Sequence, residues 1–596
     1  MNRRIVYWIG LPALGLGLLF AMSCDYSAPE SLNTTTGAAS KLTLPPPAPG
    51  AAGSADKSHG APREQEERTA ILESSITLIQ RAALQPGGKN FQYAVQKLNQ
   101  YFEGTPLSAY QLEPRSRAYL ARLLPPKVLK DIENRNWTAQ SDTRHLEDCM
   151  MYYTIATRVA KTGENLDRVR RIFDWAMRQV VLVPPGTLAS GRLPHVYARP
   201  YDVLLRGMAT EADGLWAERA WLFMVLCRQL DIDTGLITYS RSNTLSSVVP
   251  KYGVDMENGP KAPIVWICAA LIDDKAYLFD ARLGLEIPGP DGKGVATLDE
   301  ALTDPAILDR MNLPGLQPYA TSRASLLGSP TKIGILIDSS PGYFSPKMKL
   351  LQRELSGKHR TILYRDAADQ RDHFASVLGH WAGAISLWPL PVEVDTLLFT
   401  DASFVTSIQA SLFLFRPEFP LIYARVKQLR GETEEAIQDY VKFRFAENAP
   451  LVNDKEKKIK IPKDVQAGLD VYATYYLGLA HLERDNLKDA ELMFKMTLEL
   501  LPEPGPRQPY YSMFRRGANT NLGRIYEAKK MPSQALAHYT QRDPTTQYVG
   551  NLIRSRELVW DDPMGAAAAP LPPAPTPNSD PGKPTAAAPA TATRDP

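Results

Sequence analysis

Along the last third of this chain, small residues recur at one fixed interval. Ala424, Ala436 and Tyr440 are twelve and then four residues apart. Gly478, Ala490 and Phe494 repeat both intervals, and so do Gly523, Ala535 and Tyr539. A small side chain lets the backbone of one helix lie close against its neighbour. A helix pair of this kind cannot bury its apolar face alone, so the pattern commits residues 417–555 to a stacked α-helical array. Insertions around residues 453–463 and 502–511 interrupt it, and the basic run in the first reads as a solvated loop.

Together with Tyr476-Leu477-Gly478-Leu479-Ala480-His481 and Asn521-Leu522-Gly523-Arg524-Ile525-Tyr526, this spacing resembles the tetratricopeptide repeat. The resemblance implies a concave surface that takes a peptide or partner protein. The alternative is that three repeats only buttress the domains before them. The residues alone leave both readings open.

A second resemblance lies upstream. Gly214-Leu215-Trp216-Ala217-Glu218-Arg219-Ala220-Trp221-Leu222-Phe223, continuing through Leu226, Arg228 and Leu230 to Ile232, is similar to the nucleophile helix of transglutaminase-like, papain-type cysteine enzymes. Trp216 holds the place of the family cysteine. In Pro263-Ile264-Val265-Trp266-Ile267 the family tryptophan is Trp266, which aligns Ile264 with the histidine; Asp280 aligns with the aspartate. Residues 166–175 resemble the helix that leads into the family core. The resemblance covers residues 152–285 and implies an α+β fold, with a helix packed on an antiparallel sheet.

The family chemistry needs a thiolate, an imidazole and a carboxylate that orients it. Only the carboxylate survives in the degenerate triad of Trp216, Ile264 and Asp280, so the resemblance implies a scaffold without the inherited activity. Asp280 is then expected to make a structural hydrogen bond near Arg282. The alternative is a hydrolase or transferase acting on extracytoplasmic peptide or cell-wall material. Its rebuilt site would draw on Glu218, Asp280, Arg282 and His195. Helical geometry, however, sets Glu218 about 200° around the axis from Trp216.

The chain begins with Arg3 and Arg4, an apolar stretch over residues 5–22, and then Ser23-Cys24. A basic start, a short apolar core and small residues after it describe a secretory signal over residues 1–24. A cysteine at that place resembles a bacterial lipobox. This implies lipidation of Cys24 and a membrane-attached body outside the cytoplasm, in the periplasm or at the cell surface. An uncleaved anchor is the alternative, since the run is near the lower limit of ~17 residues for spanning a bilayer.

Residues 25–63, rich in Ser, Thr, Pro, Gly and Ala, read as a flexible tether, and the Ala/Pro-rich residues 556–596 as a disordered tail. Between them lie a helical segment (64–140), the transglutaminase-like core (141–300), an α/β linking module (301–416) and the repeats (417–555). The module is expected to be separate, with β-rich runs at 333–337, 361–364 and 396–399 around a helix at 348–355.

Lys plus Arg number 68 against 65 Asp plus Glu, and no basic run is interleaved with aromatics, so nucleic acid is not an expected partner. The eight histidines show no ligand spacing with Cys or Asp, so neither a metal nor another cofactor is expected. The glycines of residues 283–294 lack the Walker spacing and read as a loop. Beyond Cys24, only Cys149, Cys227 and Cys268 remain, too sparse a set for a disulfide framework. Cys227 and Cys268 sit inside apolar runs and read as buried structural residues; one disulfide among the three stays open.

Overall fold

The computed structural model describes residues 60–82, 89–184, 197–211, 216–240, 264–313, 319, 321–327, 332–412, 415, 421–444, 451–452, 458–459, 463–501 and 509–561. Cys24, His195, the expected signal and most of the expected tether and tail lie outside these residues. Among the described residues no helix is long and apolar enough to cross a membrane.

The architecture is mixed α+β. Helices α1 (Gly60–Ala82) and α2 (Lys89–Tyr101) form an N-terminal hairpin, and α3 (Asp142–Ala160) and α4 (Asn165–Gln179) follow. Strands β1 (Val181–Val183) and β2 (Met208–Thr210) make a short parallel pair ahead of α5 (Ala217–Arg228). The main sheet contains β3 (Thr234–Ser240), β4 (Ile264–Ile272), β5 (Lys275–Asp280), β6 (Leu285–Glu286), β7 (Lys332–Asp338) and β8 (Ala382–Trp388). Its order is β6-β5-β4-β3-β7-β8, antiparallel except for the parallel pair β7–β8.

Side chains alternate across a strand, and here both faces are buried, which is why β4 reads as a continuous apolar run. Leu236, Cys268, Ala270, Phe279 and Leu336 join the core on one side. The rings of Phe173 from α4, Phe223 from α5 and Phe279 from β5 meet there, each pair 5.2 Å apart. Ile237, Ala269, Leu278, Ile335 and Ile337 join the core on the opposite side, with Phe374 and Leu298.

Residues 301–416 are not a separate module. Strand β7 pairs antiparallel with β3 from Gly235↔Ile337 to Ser240↔Lys332, so the module supplies two strands to the same sheet. Helices α6 (Pro346–Glu354) and α7 (Ala367–Leu378) connect β7 to β8. The run expected as a strand at 361–364 forms no ladder. Gln352 Oε1 accepts from the N–H groups of Leu363 (2.6 Å) and Tyr364 (2.9 Å), and Gln229 bonds both backbone groups of Ile362. Side-chain amides thus replace a neighbouring strand. The run at 396–399 is helical, inside α8 (Pro389–Thr400). Proline in the first turn presets the helical φ, and Leu390 and Val394, one turn apart, bury against the core and override the β-rich composition.

The array consists of α9 (Leu421–Arg430), α10 (Thr433–Arg444), α11 (Lys463–Glu483), α12 (Leu487–Leu500), α13 (Pro509–Ala528), α14 (Pro532–Tyr539) and α15 (Gln547–Asp561). Each helix packs on the next, and α15 runs six residues past the expected boundary at 555. All nine residues of the repeated spacing are buried. A β-carbon at Gly478 would stand 2.8 Å from the Phe494 ring, and one at Gly523 would overlap Tyr539. The interval of twelve and four thus records where an aromatic ring of the second helix lies on the backbone of the first.

The inward helices of the array are occupied. From α9, Arg425 donates to the Leu204 carbonyl (2.8 and 3.0 Å); from α11, Glu483 pairs with Arg158 (2.5 Å). From α13, Arg524 pairs with Asp174 (2.6 Å) on α4. The inner side of the array is seated on the sheet domain.

Candidate functional site

Trp216 caps the N-terminus of α5 and is buried, whereas Ile264 opens β4 and is half exposed. Asp280 ends β5, fully buried. It accepts from the backbone N–H of Arg282 (3.0 Å) and Leu283 (3.1 Å), from the Arg282 guanidinium (3.2 Å) and from the Tyr319 hydroxyl (2.8 Å). Trp266 in turn donates to Tyr319 (3.1 Å). Burial followed by the Asp280 charge pushes the Tyr319 pKa well up, so the hydroxyl stays a donor. Asp280 therefore ties a strand end to the following loop, the structural bond near Arg282 read from the sequence.

The space beside the N-terminus of α5 is filled by Arg219. Its guanidinium donates to the carbonyls of Val180 (2.6 and 2.9 Å), Ala281 (3.2 Å) and Met177 (3.3 Å) and to Gln547 Oε1 (2.7 Å). Burial, with the Arg524 charge nearby, lowers its pKa to about 9, so it remains a cation at neutral pH. Gln547 comes from the start of α15 and also donates to the Leu283 carbonyl (2.8 Å). Next to it, the Thr546 N–H donates to Glu211 (2.9 Å). Gly550 lies so close to the Leu283 carbonyl that any β-carbon there would overlap it. The C-terminal helix roofs this region.

Glu218 and Asp280 are not brought together. Glu218 is fully buried and accepts from Arg206 (2.6 Å) and from the N–H groups of Ala198 (2.6 Å) and Thr210 (2.8 Å). These partners differ entirely from those of Asp280, so the two carboxylates do not form an acid–base pair.

A different site emerges on the α3 side. A cavity of about 340 Å³ lies between α3, α8 and the N-terminal end of α6. Its charged lining includes Arg144, Asp148, Arg199, Lys347 and Asp395. Lys347 pairs with Asp142 (2.7 Å), and Arg199 pairs with Asp148 (2.7 Å) and Asp202 (3.0 Å). Burial raises Asp148 and Asp395 each to about 6, and neighbouring Glu147 to about 7.

His145 and Cys149 also line this cavity, one helical turn apart on α3. The sulfur lies 3.6 Å from His145 Nε2 and 3.4 Å from the Tyr343 hydroxyl. His145 Nε2 donates to the Leu363 carbonyl (3.0 Å), which fixes the ring's tautomer. Burial pulls His145 down to about 4 and pushes the Cys149 thiol well up. Both groups are neutral at pH 7, whereas nucleophilic cysteine chemistry needs the thiolate. The pair is packing. Cys149, Cys227 and Cys268 are all buried and free. Among the described residues no group of three or more His, Cys, Asp or Glu side chains is arranged to hold a metal.

Sequence reasoning missed Arg219, Gln547 and the cavity residues Arg144 and Asp395. Arg219 had a signal, a cation in the first turn of a mostly apolar helix. His145 and Cys149 had the four-residue interval. Nothing local announces Gln547 or Asp395. No protein-family model, no curated protein and no solved structure matches the chain.

Proposed function

We propose that this chain is a membrane-anchored extracytoplasmic lipoprotein, and that its transglutaminase-like domain acts as an inactive, protein-binding scaffold. The observation that carries this reading is the plug beside Trp216. Arg219, three residues after Trp216, is bonded to Gln547, and Gly550 lies on Leu283, so the last described helix covers this stretch of α5. Among the described residues, a helix of the same chain thus takes the space beside Arg219 that a substrate peptide would need. The indole at position 216, in place of a thiol, and the isoleucine at 264 agree with that assignment. Lipidation at Cys24 would supply the anchor.

In this reading the tetratricopeptide-like repeats bind a protein partner through their outer row, because their inner helices are seated on the sheet domain. Val441 on α10, Leu492 and Leu500 on α12, and Met531 just before α14 are exposed large hydrophobics on that row. The test replaces Leu492 and Leu500 with Asp in the full chain and compares proteins recovered from detergent-solubilised native membranes. Partners lost from this variant but retained by Gln541→Ala support the scaffold. Recovery of the same partners by both would reduce the repeats to a buttress. Cys24→Ser should move the chain from the membrane to the soluble fraction; retention in the membrane would overturn the lipid anchor.

A further inference from the structure

We propose that the cavity between α3 and α8 binds a small zwitterion, an α-amino acid or dipeptide, with its carboxylate on Arg144 and its ammonium on Asp395. The inference is independent of the scaffold reading, since neither the repeats nor the plug contributes to it.

The cavity has the size of a ligand site, at about 340 Å³. It has a mouth, since Lys127, Asp131, Gln140 and Phe399 are both lining and solvent-exposed. Its inner walls include the aromatic side chains of Tyr152, Trp221 and Tyr343, which suit the apolar body of a ligand.

Most of the charge in this region is answered locally, through the Lys347–Asp142 and Arg199–Asp148 pairs. Two groups are exceptions. Arg144 Nη1 is buried without a hydrogen-bond partner, its guanidinium 5.7 Å from the centre of the Phe399 ring. Buried donors are nearly always partnered in folded proteins, so an orphaned guanidinium nitrogen marks a place for an acceptor. The indole N–H of Trp221, another wall residue, is also buried and unpartnered.

Asp395 is the complement. It attracts Arg144 electrostatically, yet no nitrogen–oxygen approach within 4.0 Å joins them. The two opposite charges are held apart rather than paired. A molecule with a carboxylate at one end and an ammonium at the other bridges that gap, answering each charge with its opposite. Arginine recognises a carboxylate through parallel N–H donors, and a carboxylate accepts from an ammonium. Burial has raised Asp395 to about 6, and a bound ammonium would lower it again.

Isothermal titration of the full chain with L-alanyl-L-phenylalanine tests the proposal, alongside the N-acetylated and C-amidated forms of the same dipeptide. The free dipeptide should bind, and each blocked form should bind about ten-fold or more weakly, because each lacks one charged contact. Arg144→Met should weaken the free dipeptide about ten-fold and abolish the discrimination against the amide. Asp395→Asn should do the same for the acetylated form. No binding of the free dipeptide up to about 10 mM, weaker than any useful site, overturns the proposal. Equal binding of all three peptides overturns it as well. That comparison uses the unaltered chain, so a variant that fails to fold cannot hide the answer.

Discussion

The region roofed by α15 and the cavity under α8 are both rich in buried charge, and they treat it in opposite ways. Beside α5, Arg219 reaches three backbone carbonyls and one side-chain amide, Glu218 is held by a guanidinium and two backbone N–H groups, and Asp280 accepts four bonds. Under α8, Arg144 Nη1 stays orphaned and Asp395 feels the Arg144 charge without pairing with it. Burying a charge costs several kcal/mol unless its partners are in place. In the first region each charged group has at least one hydrogen-bonded partner from within, although Arg282 Nε and Arg524 Nε are themselves buried without one; the second keeps two charged groups with no ion pair at all.

The comparison is broken most severely at Glu218. Glu218→Ala would strand the Arg206 guanidinium and should cost about 3–5 kcal/mol in urea unfolding. A loss below about 1 kcal/mol, the scale of an ordinary surface change, would show that the region is not locked by its charges. Gly550→Ala comes next. Its methyl meets the Leu283 carbonyl rather than a movable side chain, so about 2–3 kcal/mol is expected, with faster proteolysis at the α14–α15 junction.

The cavity side is probed by pH. Glu147 is raised by burial from an ordinary 4.5 to about 7, so the folded state holds its proton more tightly than the unfolded chain. The resulting stability is fully present below pH 4.5 and lost as pH rises through 7. Glu147→Gln keeps the neutral form at every pH. The variant should match the natural chain near pH 4 and exceed it by about 3 kcal/mol at pH 8. His145, lowered to about 4, acts with the opposite sign and costs stability as pH falls from 6.5 through 4. Thermal melts across that range separate the two. The smallest effect belongs to Arg144→Met. With no hydrogen bond to lose and an unanswered buried charge removed, its unfolding free energy should fall by no more than about 0.5 kcal/mol and is expected to hold or rise. A larger loss would place Arg144 with the structural charges and erase the contrast.

Much of this was legible from local sequence. The interval of twelve and four picked out nine residues that are all buried, because close helix contact sets a small residue of one helix against an aromatic ring of the next at a fixed phase. The link between Asp280 and Arg282 followed from their proximity in the chain. What stayed hidden was long-range or competitive. Strand β3 finds β7 nearly a hundred residues away, so residues 301–416 looked like a module of their own. Residues 361–364 have strand composition, yet Gln229 and Gln352 take their backbone bonds. Residues 396–399 look like a strand, but a proline-started helix with its own buried stripe wins. The plug needs Arg219 and Gln547, separated by 328 residues, and no window of sequence contains both.

That separation also sets a timetable. A chain that emerges N-terminus first presents α5 long before Gln547 exists to meet it. At a synthesis rate of about 5–20 residues per second, the wait is on the order of 16–65 s. Throughout it the Arg219 guanidinium is one acceptor short, and the seam along Leu283 has no cover. The nascent sheet domain is thus an unfinished object for most of its own manufacture, and the last of the described helices is the one that completes it.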